Sequence, residues 1–134
     1  MTHLKKILVI DDDDAMRSAI KRLIRLAFPA VQVIETSRSE NVIKLLMTSR
    51  PSAVILDIMM PELNGLQILQ TIREFDSPWL KSIPVIVLSG VGNQEVLNRA
   101  KELGAVDYLT KPYNEKVLTA MLEKLLNIKT KVQL

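Results

Sequence analysis

The sequence alternates between short aliphatic runs and longer segments of helical period, and this alternation constrains the fold more than any other feature. Residues 6–10 (KILVI), 31–35, 52–58 (SAVILDI), 84–89 (PVIVLS) and 106–110 read as five strands. Runs such as ILVI and AVILDI are nearly all apolar, as expected of strands covered on both faces. Between them, residues 14–27 place Met16, Ile20, Leu23, Ile24 and Ala27 on one helical stripe, closed by Pro29. Ser37 followed by Glu40 predicts a capping box and a helix to about residue 48. Residues 64–75 form a third helix with Ile68, Leu69 and Ile72 inward, and residues 76–84, carrying Pro78 and Pro84, read as a polar loop in which Trp79 covers the core. Asn93 predicts the cap of a helix through residue 103, with Gly104 ending it, and Asn114 caps a last helix to about residue 128. Five strands alternating with five helices predict an α/β domain with a parallel sheet between two helical layers.

In that architecture ligands bind beyond the carboxyl ends of the strands, so the residues there carry the chemistry. The first strand ends in Asp11 and Asp12, the third in Asp57 and the fourth in Ser89, while Lys111 follows the fifth. Three carboxylates brought together repel one another unless a cation neutralises them. An oxygen-only, carboxylate-rich site suits Mg²⁺, which keeps several waters and leaves room for a phosphate oxygen. One chemistry uses all five residues: a carboxylate attacks phosphorus, metal and ammonium absorb charge on the phosphoryl oxygens, and the hydroxyl donates a hydrogen bond. Asp13 and Asp14 extend the acidic run and read as cap and dipole partners of the first helix. Arg17, Lys21, Arg22 and Arg25 read as its solvated face.

The segments Ile10-Asp11-Asp12, Leu56-Asp57-Ile58-Met59-Met60-Pro61, Leu88-Ser89-Gly90 and Thr110-Lys111-Pro112 resemble, in order and spacing, the motifs of response-regulator receiver domains of two-component phosphorelay systems. The resemblance covers residues 4–128 and implies a flavodoxin-like (βα)5 sandwich, a five-stranded parallel sheet of order 2-1-3-4-5 with helices on both faces. It implies that Asp57 is the phosphoacceptor and that Mg²⁺, for which Mn²⁺ could substitute, is held by Asp11, Asp12, Asp57 and the Met59 backbone carbonyl. It implies that Ser89 and Lys111 hold phosphoryl oxygens and that Tyr108 turns inward with Ser89 as the switch aromatic. A cis bond before Pro112, a small residue at Gly90 and a helix start at Gly65 belong to the same pattern. The implied partners are a sensor histidine kinase or a histidine phosphotransfer protein, an unknown effector, and a second copy paired through helix four, strand five and helix five. Such a chain is a signalling switch that catalyses only its own phosphoryl transfer and dephosphorylation. Met59 and Val91, at positions that govern water access in the family, are apolar and predict a long-lived phosphoryl group.

Other classes fit less well. A phosphatase or dehalogenase with an Asp nucleophile needs a second acid two residues on, where this chain has Met59, and room for a cap domain. A flavodoxin needs a Gly/Ser/Thr-rich phosphate loop after the first strand, and the sequence has acids there. A pseudo-receiver that only docks is opposed by the complete acidic set with Lys111. The net charge of +3 is scattered, without the basic, aromatic-interleaved stripe that direct nucleic-acid binding needs. Cysteine is absent, which excludes disulfides and thiolate metal sites and suits a reducing cytoplasm. The apolar run near residue 7 is too short for a secretory signal, and no stretch approaches the roughly 20 residues that span a bilayer. The domain is expected over residues 1–128, with 129–134 a tail or the start of a linker. His3 is expected in a frayed terminus with no ligand role.

Overall fold

The first aliphatic run forms β1 (Lys6–Ile10), which lies between β2 (Gln32–Thr36) and β3 (Ala53–Asp57). The computed structural model describes residues 5–58, 64–90 and 94–130. With β4 (Val85–Ser89) and β5 (Asp107–Thr110) the strands make one all-parallel sheet of order β2-β1-β3-β4-β5. The helices are α1 (Asp14–Ala27), α2 (Val42–Ser49), α3 (Gly65–Glu74), α4 (Pro78–Ser82), α5 (Gln94–Glu102) and α6 (Glu115–Leu126).

Alternate residues of a strand point to opposite faces, and the core divides accordingly. Leu8, Ile10, Val54, Leu56, Val85 and Val87 pack under Leu46, Leu69, Ile72, Leu80 and Ala100 from α2 to α5. Ile7, Val9, Ile55, Ile86 and Leu88 pack under Ile20, Ile24, Leu118 and Leu122 from α1 and α6. Right-handed crossovers require this division. The chain moves outward from β1 to β2, then back across β1 to β3, β4 and β5, so α1 lies on one face and α2 to α5 on the other. The reversal beside β1 opens a crevice at the strands' carboxyl ends.

The expected strands appear within a residue of their bounds, but two local expectations are corrected. Residues 76–84 contain α4, where Pro78 occupies the first turn and Leu80 is fully buried. Proline is preorganised at the start of a helix, so Ser77-Pro78 opens one here. Trp79 packs half-buried against the core, with the Arg50 guanidinium 4.6 Å from its ring centre. The capping box at Ser37 does not form. Thr36 Oγ1 accepts the Arg38 N–H at 3.1 Å, Glu40 pairs with Arg38, and a 3-10 turn at Ser39–Asn41 delays α2 to Val42. Asn114 caps α6 as expected, whereas Asn93, Val91, Met59–Pro61 and His3 lie outside the described residues.

Arg73 joins three elements at the opposite end of the sheet. Its guanidinium donates to the carbonyls of Leu103 (2.8 Å), Leu80 (2.9 Å) and Gly104 (2.9 Å), tying α3 to α4 and to the end of α5. Arg73→Met leaves three carbonyls without this donor, and bonds to a charged group are worth more than neutral ones. A loss of about 1.5 kcal/mol is expected in urea unfolding, with far-UV circular dichroism unchanged.

Candidate functional site

Strand register brings the acidic residues together. Ile10 is level with Leu56, so Asp11 follows beside Asp57; Asp57 is level with Leu88, and Ser89 with Thr110, so Lys111 follows on the same rim. Lys111 is held there by its N–H to the Ser89 carbonyl (2.7 Å) and precedes a cis bond to Pro112. Its ammonium pairs with Asp57 Oδ2, a carboxylate only 2% exposed. Ser89 is fully buried, and its hydroxyl donates to the Gly90 carbonyl at 3.3 Å. Tyr108 is half-buried beneath the Lys101 ammonium, 4.6 Å from the ring centre.

Asp11 is fixed at nearly every polar atom. Its N–H donates to the Thr36 carbonyl (3.2 Å), its Oδ1 accepts the Asp13 N–H (2.9 Å), and its carbonyl accepts from Arg17 Nη1 (2.8 Å). Oδ2 is buried without a hydrogen-bond partner. Asp13 caps α1, accepting from the N–H groups of Ala15 and Met16, while Asp12 is half-buried beside it. Burial pushes the Asp11 carboxyl up to about 6; the Asp57 and Asp13 carboxylates add to this, and the Asp13 N–H and Lys111 oppose it.

This shift has a sign in stability. The Asp11 carboxyl is easier to ionise unfolded, near 3.8, than folded. At lower pH both states are protonated and ionisation costs nothing. As pH rises from 3.8 through about 6, folding loses stability, and above that the whole cost remains. The shift corresponds to roughly 3 kcal/mol, which relaxation and water penetration reduce to about 1–2 kcal/mol. Asp11→Asn is therefore expected to stabilise the chelator-treated protein by that amount at pH 7.5. Urea unfolding should show the gain vanish near pH 4.

The basic face of α1 departs from expectation. Arg22 and Arg25 are exposed, but Arg17 and Lys21 are half-buried around Glu35 on β2. Arg17 Nε donates to Glu35 Oε1 (2.9 Å), Arg17 Nη2 to Asp14 Oδ1 (2.6 Å) and Lys21 Nζ to Glu35 Oε2 (2.6 Å). These two cations hold the Glu35 carboxyl below its ordinary range. The spacing from Asp14 to Arg17 hints at a pair on one helix face, but the reach to Glu35 and to the Asp11 carbonyl depends on how β2 lies against β1.

Residues 7–123 match the response regulator receiver domain family. The chain belongs to that family. It is 34% identical over 122 residues to a probable transcriptional regulator, ycf27, of Cyanophora paradoxa, covering 91% of this chain and 48% of the relative. It is 33% identical over 123 residues to the transcriptional regulatory protein FixJ of Bradyrhizobium diazoefficiens, covering 92% and 57%. A response-regulator receiver domain from Bermanella marisrubri superposes with a TM-score of 0.82 at 32% identity, covering 93% of this chain and all of that one. The chain thus spans about half the length of curated relatives that are named as regulators of transcription. Its own fold is the receiver fold of two-component signalling proteins, with the strand order expected. No helix among the described residues is long and apolar enough to cross a membrane.

The structure gathers Asp11, Asp57, Ser89 and Lys111 on one rim, with Asp12 beside Asp11 and Tyr108 behind it on β5. Among the described residues no three acidic side chains stand close enough together to enclose an ion by themselves. A Mg²⁺ ion retains several waters and needs only one or two carboxylates. The unpartnered Asp11 Oδ2 beside Asp57 fits that requirement.

Proposed function

We propose that this receiver domain is a phosphorylation switch that accepts a phosphoryl group on Asp57 from a histidine kinase or a histidine phosphotransfer protein. The observation that carries the reading is the buried Asp57 carboxylate, paired with Lys111 and flanked by a second buried carboxyl that keeps one oxygen unpartnered. An Asp57 oxygen attacks phosphorus in line with the leaving imidazole; the P–N bond breaks as the P–O bond forms. Lys111 leaves its carboxylate and pairs with a phosphoryl oxygen, and the Ser89 hydroxyl turns from Gly90 to donate to another. Asp11, Asp12, Asp57 and the Met59 carbonyl are the oxygens that would hold Mg²⁺. Bound there, the ion would neutralise charge on the phosphoryl oxygens.

Ser89 ends β4 level with Thr110, and Tyr108 stands two residues earlier on β5, level with Val87. Movement of the Ser89 hydroxyl toward the phosphoryl group vacates space that the Tyr108 ring turns into. The change is read out on the surface formed by α5, β5 and α6. These correspond to the fourth helix, fifth strand and fifth helix expected from the sequence, α4 being the additional helix. That surface then controls a second copy, an effector domain or a separate partner.

Intact-mass spectrometry after incubation with Mg²⁺ and a small acyl phosphate tests the reading. One added phosphoryl group is expected, and none after chelation. A folded, Mg²⁺-bound protein that gains no mass and forms no beryllofluoride complex would make the domain a docking module instead. Because Met59 and Val91 cannot orient an attacking water, slow phosphate release is expected once donor is removed; rapid release would contradict that assignment.

A further inference from the structure

We propose that Arg17 is a positioning residue for the metal-binding side of this site. The inference rests on the Mg²⁺-dependent reading above and extends it to a residue that touches neither phosphate nor metal. Arg17 lies on the second turn of α1, and its side chain is only 14% exposed. All three guanidinium nitrogens are engaged: Nη1 with the Asp11 carbonyl, Nε with Glu35 on β2, and Nη2 with Asp14. Glu35 is itself held from its other oxygen by Lys21. The fork therefore has its direction set by β2 and α1, and it delivers one bond to the main chain of the loop that carries Asp11 and Asp12.

That bond completes the fixing of Asp11. With its N–H on Thr36, its carbonyl on Arg17 and its Oδ1 on the Asp13 N–H, Asp11 retains Oδ2 as its one buried, unpartnered oxygen. Removing the Arg17 bond releases the peptide between Asp11 and Asp12 and lets both carboxylates sample other directions. Groups that orient metal ligands typically change affinity about 10- to 100-fold when removed. Simple electrostatics predicts the opposite sign, since deleting a nearby cation should strengthen binding of Mg²⁺. The direction of the effect therefore separates positioning from charge.

The test is isothermal titration of the full chain with Mg²⁺, for wild type, Arg17→Met and Arg17→Lys. Arg17→Met is expected to weaken Mg²⁺ binding about 10-fold. The Mg²⁺ concentration for half-maximal phosphorylation by acyl phosphate should rise equally, with the rate at saturating Mg²⁺ within about twofold of wild type. Arg17→Lys keeps the charge without the planar fork and is expected to weaken binding as well. Unchanged or tighter binding by folded Arg17→Met overturns the proposal. Should that variant fail to fold, Arg17→Lys decides, and wild-type affinity there overturns it. A wild-type protein that binds no Mg²⁺ overturns both this inference and the metal-dependent reading, whereas a wild type that binds and variants that bind equally well overturn this inference alone.

Discussion

Asp57→Ala is expected to take up no phosphoryl group from an acyl phosphate, a loss of at least about 100-fold against wild type, while remaining folded. The functional loss follows from chemistry, because the acceptor oxygen has to lie against the ammonium that takes up the phosphoryl charge. Asp11 is fixed by its backbone and by the Asp13 N–H, and Asp13 caps α1. Asp57 is paired with the ammonium that would transfer to the phosphoryl oxygens. The fold should survive because β3 keeps its ladder bonds to β1 and β4, which do not involve the Asp57 side chain. Losing the pair with Lys111 is offset by relief of repulsion with Asp11, and Lys111 is 25% exposed and can hydrate. Lys111→Met separates the roles: it keeps the acceptor and should still gain mass, but more slowly. Intact-mass spectrometry of both variants, with urea midpoints as the folding control, makes the comparison. Equal uptake by Asp57→Ala and wild type would place the acceptor elsewhere.

The fold was legible in the sequence because its signal is local. Runs such as ILVI and AVIL are buried on both faces, and the helical stripe of α1 matches the apolar positions found in the core. Asp11, Asp57, Ser89 and Lys111 were legible because parallel strands in register place their carboxyl ends on one rim. What escaped depends on contacts between elements. Pro78 is a breaker in isolation, but Leu80 and Trp79 pack against the core and make a helix of it. Ser37 and Glu40 have capping-box spacing, but the neighbouring Thr36 hydroxyl takes the Arg38 N–H first. Arg17 belongs to a basic helix face by sequence, yet Glu35 and the Asp11 carbonyl draw it inward. Arg73 gave no sequence signal at all, because its three acceptors are main-chain carbonyls.

Gly65 shows the same distinction between a residue's place in a pattern and its physical reason, and Gly65→Ala should be the most destabilising of the substitutions considered. The sequence marks Gly65 as the start of α3, and it is the first residue of that helix, with Asn64 as its cap. Helix initiation does not require glycine there. Close approach does: a Cβ would stand 2.3 Å from Ile58 Cα, 2.8 Å from Ile58 Cβ and 2.8 Å from the Asp57 carbonyl oxygen. Two of these are backbone atoms at the end of the strand that carries Asp57, so no rotamer change relieves the overlap. Either α3 retreats from β3, opening the contacts of Ile68 and Leu69, or the end of β3 shifts with its carboxylate. Overpacking usually costs about 1–3 kcal/mol, more where backbone must move, and a loss of at least about 3 kcal/mol is expected here. That is a large fraction of the roughly 5–15 kcal/mol that holds a domain folded. Gly104→Ala is the control. Gly104 has φ +81°, which costs a side chain about 1–2 kcal/mol. Its nearest neighbour, however, is a side-chain atom, Arg73 Nε, at 3.3 Å, a far milder approach than the backbone overlap at Gly65. Urea unfolding should rank Gly65→Ala well below Gly104→Ala, and a Gly65→Ala midpoint equal to wild type would mean that α3 and β3 do not meet this closely. If the variant stays folded through retreat of α3, Asp57 keeps its place and phosphoryl uptake persists; if the end of β3 moves, uptake falls with stability.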